Sequence, residues 1–204
     1  MATTAIDTFV FDLGNVLINW DPRHLYRKLF ASDVEMERFL AEVCNHEWNI
    51  QMDAGRPFAD GTAELVERHP HQADLIRADR DRWPEMLGGP IPGSVNLLSR
   101  IRAGGGRLFA LTNWSNETFP IARDRYDFLG WFSHIAVSGE LGLVKPDPAI
   151  FRHLIGTCAV APARTLFIDD SLVNIRGAAC LGFATHHFSE PNLLEAHLQD
   201  WGLL

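Results

Sequence analysis

The sequence predicts an α/β fold: a three-layer, Rossmann-like parallel sheet between helices, interrupted after its first strand by an inserted helical cap. Three observations predict it. Short β-branched and aromatic runs alternate with helical patterns along residues 91–204, as parallel βαβ units require. Those runs end in Asp, Thr or Asn, where a doubly wound sheet collects its ligands. Residues 19–90 break the alternation, with apolar residues recurring at helical spacing and no convincing strand.

The elements follow in order. Ile6–Phe11 is a buried central strand ending at Asp12, with Gly14 and Asn15 as turn residues. Leu25, Leu29, Val34, Met36, Phe39, Leu40 and Val43 mark helix in the insertion, and Ala63, Leu65, Val66, Leu75 and Ile76 mark more. Trp20-Asp21-Pro22 and the Gly/Pro-rich stretch 88–93 suit hinges. The core is therefore expected at 1–18 and 91–204, with the cap at 19–90. Ser94–Arg102 reads as a helix stopped by Gly104, Gly105 and Gly106. Strands are expected at Arg107–Leu111, His134–Val137, Thr165–Ile168 and Phe183–His187. Helices are expected at Glu117–Tyr126, Pro148–Thr157 and Asn174–Cys180.

Composition removes several function classes. The chain has 204 residues, 47% of them hydrophobic, so it can bury a core of its own. A net charge of −8 with no basic block argues against a nucleic-acid partner. Cys44, Cys158 and Cys180 form no CxxC pair, which fits a reducing cytoplasm rather than a disulfide framework or zinc site. No signal peptide or membrane span is expected from the N-terminal run, which Asp7 and Asp12 interrupt.

Four fragments carry chemistry: TFVFDLGNVL with Asp12, FALTN with Thr112 and Asn113, LGLVKPDPAIF with Lys145, and TLFIDDS with Asp169 and Asp170. Each has an ordinary reading by itself. Asp12 or the Asp169-Asp170-Ser171 run can cap a helix, Thr112-Asn113 can be a turn, and Lys145 can be a solvated surface lysine. Together, in this order and at strand ends, they resemble the haloacid dehalogenase (HAD-like) hydrolase superfamily over essentially the whole chain. The DLGN form is similar to the helical-cap branch of sugar-phosphate and related small-molecule phosphatases. It is also similar to the phosphatase domain of bifunctional epoxide hydrolases.

That resemblance implies strand order 5-4-1-2-3 and a Mg2+-dependent phosphomonoesterase. Asp12 would attack phosphorus and form an aspartyl-phosphate, which water then hydrolyses. Asp12, Asp170 and the Gly14 carbonyl would bind Mg2+, which prefers oxygen ligands. Asp169 would bind the metal or its waters, or orient Asp170. Thr112 and the Asn113 amide would bind a phosphate oxygen, and Lys145 would neutralise phosphate charge and keep Asp12 ionised. The substrate would be a small phosphorylated metabolite, with a sugar phosphate one option, and the protein a monomer or homodimer.

One position departs from the pattern. Most phosphatases of the superfamily carry a second Asp two residues after the nucleophile, as general acid and base; here it is Gly14. Such help is worth about 10²–10⁴ in rate. Either another group substitutes, or water does, or the enzyme favours low-pKa leaving groups. Two rivals stand beside the phosphatase: a metal-free 2-haloacid dehalogenase and a non-catalytic phospho-ligand-binding protein. Asp169-Asp170 speaks against the first, because carboxylates around Asp12 without a cation repel one another and a carboxylate substrate. For substrate contacts, the stretch 45–56 between helices offers Trp48, Gln51 and Arg56. Trp20 is expected at the hinge and Trp114 at the pocket mouth, each with packing as its plainer role.

Overall fold

The computed structural model describes residues 6–204; residues 1–5, the start of the predicted core segment, lie outside the described residues. In chain order the strands are β1 (Thr8–Phe11), β2 (Ile18–Trp20), β3 (Leu87–Pro90), β4 (Arg107–Thr112), β5 (His134–Val137), β6 (Thr165–Asp169) and β7 (Ala184–His187). Between β2 and β3 lie α1 (Arg23–Tyr26), α2 (Asp33–Glu42), α3 (His46–Asp53), α4 (Phe58–Arg68) and α5 (Ala73–Asp81). After β3 come α6 (Pro92–Ala103), α7 (Phe119–Arg125), α8 (Ser138–Leu141), α9 (Pro148–Cys158), α10 (Leu172–Ala179) and α11 (Pro191–Asp200).

Five strands form one parallel sheet in the order β5-β4-β1-β6-β7, which is the expected order. The central strand β1 is flanked by β4 (Phe11↔Ala110) and by β6 (Phe11↔Ile168). Its four residues are all buried, because a parallel strand covered on both faces has no solvent side. Strand alternation then makes two cores. Phe9, Phe11, Leu108, Ala110, Leu166 and Ile168 point to one face, and Val10, Phe109, Leu111 and Phe167 to the other. This is the physical content of three layers.

Local chemistry sets the helix ends. Asn45 caps α3 by accepting from the Trp48 amide at 2.9 Å, and Asp147 caps α9 by accepting from Ala149 at 2.8 Å, ahead of Pro148. Gly104 ends α6, and Gly105 turns the chain at φ +86°, a left-handed conformation that glycine adopts without strain.

The helical insertion differs from expectation in two places. Its ends are not strandless: β2 and β3 pair antiparallel, Ile18↔Pro90 and Trp20↔Leu87, closing the neck of the insertion. The stretch 45–56 is not a loop, since most of it is α3. The apolar faces of α1 to α5, including Tyr26, Phe39, Met52, Phe58 and Ile76, join the same cluster as Phe9 and Phe11 of the sheet.

Candidate active site

Asp12 follows β1, Thr112 ends β4 and Asp169 ends β6, so three neighbouring strands deliver their polar termini to one crevice. The Asp12 amide donates to the Ile168 carbonyl at 2.8 Å, which continues the sheet and fixes the carboxylate at its edge. The chain then turns sharply. Asn15 is left-handed at φ 54°, its side-chain oxygen accepts from the Trp20 amide at 3.1 Å, and the amides of Leu17 and Ile18 return to the Leu13 carbonyl.

Lys145 ties the crevice together. It is 2% exposed, and its Nζ lies 2.9 Å from Asp12 Oδ1 and donates to Asp169 Oδ2 at 2.7 Å. Its position comes from Asn113: the Lys145 amide donates to Asn113 Oδ1 at 2.8 Å, and Asn113 Nδ2 donates to the Lys145 carbonyl at 3.0 Å. Burial would lower the Lys145 ammonium; Asp12 and Asp169 outweigh it and hold the group above its ordinary value. Asp169 is fully buried and also accepts from the Ser171 amide at 2.8 Å and from Asn174 Nδ2 at 3.1 Å. Thr112 is buried at the end of β4.

One carboxylate oxygen from each of Asp12, Asp169 and Asp170 lies within 4.8 Å of the others. Three carboxylates against one ammonium leave two formal negative charges in the crevice. Burial pushes the Asp12 carboxyl up to about 7; Lys145 opposes the rise, and Asp169 and Asp170 add to it. An all-oxygen set with two surplus charges fits a hard divalent cation such as Mg2+.

Above the crevice lies a cavity of about 70 Å³, lined by Gly14, Trp20, Asn49, Asp53, Trp83, Asn113 and Trp114. Trp83 and Trp114 pack with ring centroids 5.7 Å apart. Trp114 is anchored at both ends, its amide donating to Ser138 Oγ at 2.8 Å and its indole to Thr118 Oγ1 at 3.1 Å. Burial pushes the Asp53 carboxyl up to about 7; the Ser115 amide opposes the rise and the charge of Asp12 adds to it.

Three expected contacts are corrected. Trp48 is buried between α3 and α4, where its indole donates to the Gly61 carbonyl at 3.1 Å and its ring meets Phe58 edge-on. Gln51 and Arg56 do not line the cavity and pair with each other at 2.5 Å, Arg56 also binding Glu64 at 2.5 Å. The reason is helical phase. In α3, Trp48 and Met52 take the packed face, while Asn49 and Asp53, one residue further on, take the cavity face. Asn49 and Asp53 escape sequence reasoning for that reason, and Trp83, outside α3, and Asn174, in α10, escape it as well. The i, i+4 spacing of Asn49 and Asp53 was the available signal.

A family model described as haloacid dehalogenase-like hydrolase matches residues 6–182. Sesquiterpene phosphatase astK of Aspergillus oryzae is 23% identical over 187 residues, 92% of each chain. Drimenol cyclase drtB of Aspergillus calidoustus is 24% identical over 96% of this chain, but the chain spans only 36% of that protein. Among solved structures, HAD family enzyme BT-2542 of Bacteroides thetaiotaomicron, in complex with magnesium and inorganic phosphate, superposes with a TM-score of 0.68 at 24% identity, covering 91% and 95% of the two chains. L-2-haloacid dehalogenase RSc1362 superposes with a TM-score of 0.72 at 20% identity, covering 96% and 100%.

Proposed function

The chain belongs to the haloacid dehalogenase-like hydrolases, and on that footing we propose that it is a Mg2+-dependent phosphomonoesterase working through an aspartyl-phosphate on Asp12. The observation that carries this reading is the grouping of Asp12, Asp169 and Asp170 around the Lys145 ammonium. A dehalogenase must draw a carboxylate substrate to Asp12, and two surplus negative charges oppose that. The same charges suit a divalent cation, which would compensate the charge of a phosphoryl group on its way to Asp12.

In this reading Asp12, Asp170 and the Gly14 carbonyl hold Mg2+, with Asp169 behind them. Mg2+ held there would supply charge compensation for the phosphoryl group. Lys145 keeps Asp12 ionised and faces the transferred group. Thr112 and the Asn113 amide receive a phosphoryl oxygen, and the Asn113 side chain holds the Lys145 backbone. Residues 19–90 act as the cap, roofing the cavity with Trp20, Asn49, Asp53 and Trp83. A cavity of about 70 Å³ is well below the roughly 300–1,000 Å³ of drug-sized sites. The substrate in this reading is a small phosphorylated metabolite, with a sugar phosphate one option.

The test is phosphate release from 4-nitrophenyl phosphate. Release should need Mg2+, stop with EDTA and vanish in Asp12→Asn, and beryllium fluoride should trap on Asp12. Full activity in Asp12→Asn would overturn the mechanism. EDTA-insensitive halide release from a 2-haloacid supports the dehalogenase instead. Phosphate binding without turnover supports a non-catalytic binder.

A further inference from the structure

The open question at the site is proton transfer. An Asp at position 14 would normally protonate the leaving group, and Gly14 cannot. Sterics do not explain the glycine: a Cβ added there meets nothing within 4 Å, and its φ is not left-handed. The space for a carboxyl is present, on the wall of the cavity.

Asp53 lines that same cavity from the opposite element, at the C-terminal end of α3. It stands outside the Asp12, Asp169 and Asp170 group, so it is free of the metal's oxygen set. Its carboxyl is oriented by Asn49, whose Nδ2 donates to Asp53 Oδ2 at 3.0 Å. Its backbone is docked on the core: the Asp53 carbonyl accepts from Ser138 Oγ at 2.5 Å, just past β5. Gly55, at φ +95°, sits so close to Gly139 that a Cβ would come 2.8 Å from the Gly139 carbonyl oxygen. A helix residue is thus held over the core as firmly as a core residue would be.

We propose that Asp53 is the general acid and base of this site, supplied by the cap in place of a carboxyl at position 14. The proposal rests on the phosphatase reading. As Asp12 Oδ bonds to phosphorus and the P–O bond to the leaving group breaks, protonated Asp53 gives its proton to the departing oxygen. The resulting Asp53 carboxylate then takes a proton from the water that attacks the aspartyl-phosphate. Inorganic phosphate leaves, the Asp12 carboxylate is restored and Asp53 is protonated again. The burial of Asp53 supports this, because a carboxyl pushed up to about 7 carries a proton near neutral pH.

The experiment measures kcat/KM on phosphomonoesters of graded leaving-group pKa, from 4-nitrophenyl to alkyl phosphates, with Mg2+. Wild type should show a shallow dependence. Asp53→Asn, which keeps size and acceptor oxygen, should lose about 10²–10⁴ on alkyl phosphates and less than about tenfold on 4-nitrophenyl phosphate. Adding Gly14→Asp to Asp53→Asn should recover alkyl phosphate turnover, a rescue that no structural role for Asp53 would give. An equal loss on every ester, or none, overturns Asp53 while leaving the Asp12 chemistry intact, which Asp12→Asn on 4-nitrophenyl phosphate reports independently. A wild type silent on all esters overturns both readings.

Discussion

Lys145 shows how much of the site hangs on one side chain. Its ammonium is the only cation that the described side chains place against both Asp12 and Asp169, and both partners are buried. Removing one member of a buried ion pair leaves an uncompensated charge, which typically costs about 3–5 kcal/mol. Lys145→Met should therefore abolish phosphatase activity and lower the urea-unfolding free energy by about 3 kcal/mol at pH 8. The loss should shrink at pH 5, where Asp12 can take up a proton instead. Unchanged stability at pH 8 would show that the pair is not a unit. At this scale the sequence was a good guide where a residue ends a strand. Asp12, Thr112 and Asp169 stand at the ends of neighbouring strands, which the sequence marks as apolar runs with polar stops; Lys145, in the loop before α9, is brought to them by Asn113 instead. It was a poor guide to partners. Nothing in the sequence says that the Asn113 side chain would clamp the Lys145 backbone, or that Asn174, five residues past Asp169, would share its carboxylate.

At the scale of elements, the sheet was legible and the insertion was legible only as helical. β2 and β3 escape a pattern search because INW and LGGP are too short for alternation and contain turn residues. The face of α3 escapes because the stretch 45–56 reads as lying between helices, and its apolar residues, Trp48, Ile50 and Met52, mark no single stripe that would set a helical phase. At the C-terminal end of α3 the chain packs on α8, where Gly55 and Gly139 let backbones approach. A Cβ at Gly139 would lie 2.4 Å from the Asn116 amide nitrogen and 2.8 Å from the Trp114 carbonyl oxygen, backbone atoms with little room to move. Gly139→Ala should push residues 114–116, the loop that faces Asp53 across the cavity, away from α8 and shift Trp114 with them. We expect a lower thermal midpoint and a loss of at least tenfold in kcat/KM, of the order that a 1 Å misplacement produces. Gly130→Ala, where a Cβ meets nothing within 4 Å, is the control and should change neither. Wild-type kinetics in Gly139→Ala would detach Asp53 positioning from this contact.

For the whole molecule, the acidic interior makes stability a function of pH and metal together. Asp12, Asp53 and Asp79 are each pushed up to about 7 from an ordinary value of 3.8, burial being the first cause in all three. Asp79 lies far from Asp12, Asp169 and Asp170 in sequence, under α1, where the Tyr26 hydroxyl donates to it at 3.1 Å. Between pH 4 and 7 the folded chain binds more protons at these groups than the unfolded chain does. Stability must therefore fall as pH rises through that window, and the penalty is complete above about pH 7. Lys145 does not offset the slope, since its raised value places its loss above the ordinary lysine range. At the proposed site Mg2+ would act on one part of this only: it would bind ionised carboxylates, compete with protons, and stabilise the fold by mass action. The metal-free protein should thus melt at a lower temperature at pH 8 than at pH 5.5. Saturating Mg2+ should raise the midpoint clearly at pH 8 and little at pH 5.5. Two variants separate the contributions. Asp79→Asn should flatten the pH slope whether or not Mg2+ is present, and Asp12→Asn should remove most of the Mg2+ response. A midpoint that rises with pH in the metal-free protein would mean that these carboxyls are not held protonated by burial, and a Mg2+ shift of equal size at both pH values would place the ion away from Asp12.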